Sequence, residues 1–186
     1  MSGVWNAFRP FNGARNSRLA TDLAGISLPT PIGLAAGYDK DCRVLGSVLK
    51  LGFGFVTGGT VTLSSRPGNP KPRVARITEQ KALMNSLGFP GQGLEAALKR
   101  LGKHRRQRDR ILVSIAGTIE DEIVECLRRT QPLVAGIELN ISSPNTAGLR
   151  IFHEPARLRG LIEGLVAEKN VPLLVNLPPW PRDEDT

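Results

Sequence analysis

Soft metal ligands are scarce in this chain: its 186 residues include two cysteines and two histidines. Cys42 and Cys126 each fall inside a helical pattern. No Cys-x-x-Cys or Cys/His spacing marks a zinc site or a disulfide framework. His104 and His153 have no metal-ligating neighbour at useful spacing. Both thiols read as small apolar filler, and a reducing cytoplasm as the compartment. Aromatic residues are also few, at 5%, and this bears on the net charge of +8. Much of that excess sits in KRLGKHRRQRDR at 99–110. A groove for single-stranded nucleic acid interleaves stacking rings with its cations. None interleave here, so the stretch reads as a solvated helix end and loop, and no nucleic-acid partner is expected. No apolar run approaches the roughly 20 residues that cross a bilayer. The opening MSGVWNAFRPFNGARNSRLATD lacks the apolar stretch of a secretory signal. Its Trp5, Phe8 and Phe11 among arginines allow at most peripheral attachment at a membrane surface.

What is present is a repeated alternation. PIGLAAG (31–37) is a compact apolar run ended by glycine, and CRVLGSVLKLG (42–52) has helical spacing with Gly52 as a stop. GFVTGGTVT (54–62) is a second strand, rich in Val and Thr. SSRPGNPKPR (64–73) is loop, PRVARI (72–77) a short excursion strand, and MNSLGFPGQG (84–93) a polar loop. A helix over 94–104, a strand over 111–117 and a helix from a Thr118 cap to Thr130 follow. GIELNIS (136–142), a helix over 155–169 and PLLVNLPP (172–179) complete the series. Near-continuous apolar strands alternating with helices predict an α/β fold with a covered parallel sheet.

The strand ends choose between two such architectures. Polar or glycine-rich residues follow one strand after another: Asp39-Lys40, Gly58-Gly59-Thr60, Gly117-Thr118, Asn140 through Thr146, then Asn176. A TIM barrel gathers all its strand C-termini around one mouth, whereas an open sheet concentrates such residues at its switch point. The distribution predicts a partial TIM (β/α)8 barrel, about the first five of its strands. A whole barrel takes about 250 residues. Residues 1–22 then form a short amino-terminal extension and 23–186 an incomplete barrel domain.

The loops carry a resemblance. GLAAGYDKD (33–41), GFGFVTGGTVT (52–62), RPGNPKPR (66–73), MNSLGF (84–89) and NISSPNTAGLR (140–150), in this order, resemble the dihydroorotate dehydrogenases. These are FMN-dependent TIM-barrel enzymes of pyrimidine biosynthesis. The resemblance covers roughly residues 23–179. It is to the class 2 branch, which uses a serine base and a quinone acceptor, because Ser143 stands where the other branch has cysteine. The resemblance implies dihydroorotate as substrate and orotate as product. It implies flavin contacts at Ala35, Ala36, Gly37, Thr60, Asn85, Ser114, Asn140 and Asn176. Substrate contacts are implied at Lys40, Asn85, Gly88, Phe89, Asn145 and Thr146, with Ser143 as base and Thr146 as a hydroxyl near it. The expectation is that Thr146, directly or through water, is the outlet for the proton.

The chemistry suits those residue types. Small residues let backbone approach a flat ring, and asparagine offers donors and an acceptor to a cyclic imide. Lysine tolerates an anionic substrate, while a serine hydroxyl needs a proton outlet to act as base. The plain alternative for Asn85 and for 140–146 is a turn in which asparagine bonds its own backbone.

Three departures stand against the resemblance. Asn176 occupies a strand position where the family usually has lysine, and Ser114 a position where the serine branch often has asparagine. The amino-terminal stretch is also too short for the helix pair of membrane-attached members. The family's FMN-phosphate turns come from later strands, which leads to the expectation of self-association through an open barrel edge, or of a truncated product. Two rival readings keep less of the resemblance: an FMN oxidoreductase acting on another pyrimidine or imide, and a non-catalytic fragment.

Overall fold

The computed structural model describes residues 17–143, 148, 152 and 154–178. Trp5, Phe8, Phe11, Asn145, Thr146 and His153 lie outside them. A 3-10 turn at Ser17–Leu19 leads into an antiparallel hairpin, β1 (Thr21–Leu23) and β2 (Ile26–Leu28). Its turn is fastened by the Gly25 N–H donating to Asp22 Oδ1 at 2.8 Å. There follow β3 (Gly33–Leu34), α1 (Leu45–Leu49), β4 (Phe55–Val61), a second hairpin β5 (Val74–Ile77) and β6 (Ala82–Asn85), and α2 (Leu94–Leu101). A 3-10 stretch at Gly102–Arg110 leads to β7 (Ile111–Ile115), α3 (Glu120–Thr130), β8 (Gly136–Asn140), α4 (Pro155–Glu168) and β9 (Leu173–Asn176).

β3, β4, β7, β8 and β9 form one parallel sheet in that order. The strand order follows the chain without reversal. A doubly wound sheet reverses direction at its switch point, whereas a barrel adds each strand beside the last. The sheet is therefore the first five strands of a barrel.

Strand periodicity separates the two faces. Ile111, Val113, Ile115, Ile137 and Leu139 are fully buried against the helices, where they meet Leu45, Leu94, Ile123, Leu127, Leu161 and Leu165. Each such side chain contributes about 1.5–3 kcal/mol relative to exposure. The alternate residues Leu112, Ser114, Glu138, Asn140 and Leu174 face the other way. At one end of that inner face the β1–β2 hairpin sets Ile26 and Leu28 on Leu112, with Phe55, Ala135 and Leu174 packed around them. This apolar plug closes the bottom of the half-barrel and leaves the strand C-termini open above it.

Several elements differ from the sequence reading. The hairpin β1–β2 was not anticipated, and β1 straddles the boundary drawn after residue 22. The 31–37 run pairs only at Gly33–Leu34, because the chain then turns into the cleft. The helical pattern at 42–52 yields a helix only at Leu45–Leu49. Cys42 stands outside it at φ 58°, in the turn made by Asp39. Gly52 does end the segment, at φ 105°. Residues 84–85 belong to strand β6 rather than loop, since Val74–Ile77 needs a partner. α2 stops at Leu101, and the basic run continues as an exposed 3-10 helix. Thr118 does not cap α3 with its hydroxyl. Instead Glu122 Oε2 reaches back to accept from the Thr118 N–H at 2.9 Å and its hydroxyl at 3.3 Å.

Both cysteines are fully buried. Burial, then Asp39 and Asp41, pushes the Cys42 thiol up to about 12. Burial, then Glu122 and Glu125, pushes Cys126 likewise to about 12. Only the thiolate is nucleophilic. A disulfide thiol reagent at mildly alkaline pH is therefore expected to leave the native chain unlabelled and to titrate both thiols after denaturation. Rapid labelling of the folded protein would contradict this burial.

Candidate functional site

A cleft of about 310 Å3 opens over the strand C-termini, within the size range of small-molecule sites. Ala35, Ala36, Gly37, Lys40, Thr60, Asn85, Gly88, Phe89, Asn140, Ser143 and Asn176 all line it. Five separated segments thus converge on one hollow. Ser114 does not line it: fully buried, it sits behind Thr60. Asn145 and Thr146 lie outside the described residues.

The floor is set by hydrogen bonds between strands. The register of β4 on β7 shifts between Gly58 and Val61, and Thr60 falls within this irregularity. Its Oγ1 accepts from Asn140 Nδ2 at 2.9 Å and lies 2.9 Å from Ser114 Oγ. Asn140 Oδ1 in turn accepts from the Ser142 N–H at 3.2 Å and its hydroxyl at 2.8 Å. The carboxamide of Asn140 therefore serves the turn as well as the cleft, and Ser142 is fixed beside Ser143.

Glycine is required beside this floor. At Gly59 (φ 112°) a Cβ would lie 2.5 Å from the Ser114 carbonyl oxygen. The Gly59 carbonyl accepts from the Gly37 N–H at 2.9 Å, and Gly37 has φ 103°. Ala35, Ala36 and Gly37 thus present an almost bare backbone to the cleft, the surface on which a flat ring can lie.

Lys40 is positioned by the acids on either side of it. Asp39, buried, accepts from the Arg43 N–H at 2.8 Å and the Val44 N–H at 2.7 Å, satisfying the start of α1. Asp41 accepts from the Gln92 N–H at 2.8 Å, and its carbonyl accepts from Arg100 at 2.9 Å. The loop is thereby pinned on both sides while Lys40 turns into the cleft. Burial, followed by the nearby Arg73 guanidinium, holds the Lys40 ammonium below the usual lysine range. An anion bound in the cleft would relieve both effects.

The 85–90 segment is held by the proline-rich loop before it. Asn69 donates from its backbone to the Leu87 carbonyl at 3.0 Å and from Nδ2 to the Ser86 carbonyl at 2.9 Å. Arg73 donates to the Pro67 carbonyl at 2.6 Å and the Asn69 carbonyl at 3.0 Å. Gly88 and Phe89 both have positive φ, 69° and 53°. A Cβ on Gly88 would lie 2.4 Å from Asn69 Oδ1.

Sequence reasoning missed Ser86, Leu87, Pro90, Glu138 and Ser142 among the lining residues. For Glu138 a signal existed: an acid inside the otherwise apolar strand GIELN.

The family model described as dihydroorotate dehydrogenase matches residues 18–186. The chain is 40% identical over 182 residues to a dihydroorotate dehydrogenase (quinone) of Clavibacter sepedonicus, covering 92% of this chain and 53% of that protein. It is 39% identical to the corresponding protein of Thermus thermophilus, covering 87% and 49%. Among solved structures, the ligand-free DHODH of Eimeria tenella superposes with a TM-score of 0.85 at 31% identity, covering 96% of this chain and 59% of that one. The chain spans about half the length of the curated relatives it matches.

Two substitutions test the framework of the cleft. Asp39→Ala leaves two backbone N–H groups without their acceptor, and unsatisfied donors cost about 1–3 kcal/mol each. Thermal unfolding should register a loss of about 2–4 kcal/mol on that scale. Gly88→Ala should distort the 85–90 segment and weaken ligand binding more than it lowers the melting temperature. An unchanged melting temperature for the first, or unchanged binding for the second, would refute the assigned geometry.

Proposed function

Because the chain belongs to the dihydroorotate dehydrogenase family, we propose that it supplies the cofactor- and substrate-binding rim of an enzyme that oxidises dihydroorotate to orotate in pyrimidine biosynthesis. FMN is the cofactor and a quinone the electron acceptor in this reading. One observation carries it: Ser143 and Asn140, Asn85, and Lys40, from three separate segments, line a single cleft.

The family is flavin-dependent, and the residues present fit a flat polar ring. Ala35, Ala36 and Gly37 leave room for it, and Thr60 and Asn140 offer polar groups along its floor. When bound, the flavin supplies an acceptor for the two electrons and one hydrogen of the oxidation. The chain's own residues do the rest. Ser143 takes the proton from the substrate carbon that loses its C–H bond as the ring double bond forms. A hydroxyl is a weak base, so Thr146 relays that proton outward. Asn85, Asn140 and Asn145 hold the cyclic imide through its N–H and C=O groups. Gly88 and Phe89 shape the segment that covers it, and Lys40 places a cation beside the substrate carboxylate. Asn176, at the rim, supplies a neutral polar contact to the flavin, and Ser114 acts by holding Thr60.

Residues 23–186 form the barrel segment and 1–22 its extension, with the β1–β2 hairpin as the plug. β3 and β9 are the outer strands of the sheet among the described residues. An open parallel edge presents unpaired backbone groups. We infer that a further strand pairs with β9, and self-association is one way to supply it. Among the described residues no helix is long and apolar enough to cross a membrane, so contact with a membrane-borne quinone would be peripheral.

In the test, FMN is added to the purified chain and dihydroorotate is mixed in without oxygen. Bleaching of the flavin's visible absorption is expected, and Ser143→Ala should slow it at least about 100-fold, the usual scale for losing a general base, with FMN binding unchanged. Full-rate bleaching in that variant would remove the serine's role. A chain that binds no flavin would remove the whole reading.

A further inference from the structure

Glu138 is the anomaly of the cleft. It sits mid-strand in β8, between Ile137 and Leu139, which are both fully buried on the helix side. Its own side chain lines the cleft. Its Oε1 is buried and has no hydrogen-bond partner among the described residues.

The register explains why none is available. Directly beside Glu138 stand Ser114 on β7 and Leu174 on β9. Ser114 is engaged with Thr60, and Leu174 is apolar and packs on the plug. Below lies Leu112 with Ile26 and Leu28. Above lies Asn140, which gives one amide N–H to Thr60 and whose carbonyl oxygen serves Ser142. None of these neighbours bonds Glu138 Oε1, and the cleft is the direction that remains. A buried carboxyl oxygen without a partner is destabilising, so the sheet gains nothing by holding it there.

We propose that Glu138 is a recognition group for the bound ring: its carboxyl accepts a hydrogen bond from an imide N–H of the heterocycle in the cleft. The inference rests on the flavin reading above. Glu138 belongs to the strand floor it shares with Thr60 and Asn140, rather than to the 85–90 segment assigned to substrate. The imide N–H of the flavin ring is therefore its donor. A chain with an apolar residue at this place would bind the ring less tightly and would not distinguish it from an N-alkylated analogue.

The experiment compares FMN with 3-methyl-FMN, which lacks that N–H, on the full chain and on its Glu138→Gln and Glu138→Leu variants. Binding is read from quenching of flavin fluorescence, and stability from thermal unfolding without ligand. The wild-type chain should bind FMN about 10- to 100-fold more tightly than the methylated flavin, as expected for one charge-assisted hydrogen bond. Glu138→Leu should lose most of that preference by binding FMN more weakly, and should unfold at a higher temperature than wild type. Glu138→Gln, nearly isosteric and still an acceptor, should fall between. Equal discrimination in wild type and Glu138→Leu, or a ligand-free Glu138→Leu less stable than wild type, would overturn this inference and leave the flavin reading intact. Failure of the wild-type chain to bind either flavin would overturn both.

Discussion

One hydroxyl joins the working end of this sheet. Thr60 Oγ1 is shared by Asn140 and Ser114, so three neighbouring strands are tied together beyond the point where their backbone ladders end. A parallel sheet has no such tie of its own, since its hydrogen bonds run between main chains and stop where the strands diverge. The side-chain network fixes the spacing of the strand tips, and that spacing fixes the cleft. Thr60, Ser114 and Asn140 are all buried, where polar groups held by one another gain from the low surrounding dielectric.

Around that tie the loops are positioned by residues that do not themselves line the cleft. Asp39 and Asp41 point away from the cleft on both sides of Lys40, and Asn69 supports the 85–90 segment from behind. Precise placement of a side chain requires its neighbours to be committed elsewhere. A motif such as GYDKD is therefore one device: two residues fasten the loop and the third is presented.

Much of the architecture was legible in the sequence, because apolar periodicity and strand-end chemistry report different things and here agreed. Val113, Ile115, Ile137 and Leu139 look buried because they are. Gly59, Gly37 and Gly88 sit where the backbone demands them. What escaped notice depended on contacts distant in sequence. The short strand at Gly33–Leu34 ends early because Gly37 bonds Gly59. The first hairpin is polar enough to pass for an extension, since only Ile26 and Leu28 are buried and their partner is Leu112. Cys42 fits a helical pattern by spacing, yet Asp39 captures the following backbone groups and delays the helix to Leu45. The resemblance implies a flavin contact at Ser114. The register of β4 puts Thr60 in front of it.

The order of the sheet has one more consequence. Because each parallel strand docks beside its predecessor in sequence, the growing layer always exposes a single live edge, and the next strand to leave the ribosome is the one that fits it. Chains are made from the amino terminus at about 5–20 residues per second, slower than hairpins or helices form. Construction can then proceed vectorially, each βα step covering apolar surface before the next arrives, with the β1–β2 plug in place before the wall it seals has been built.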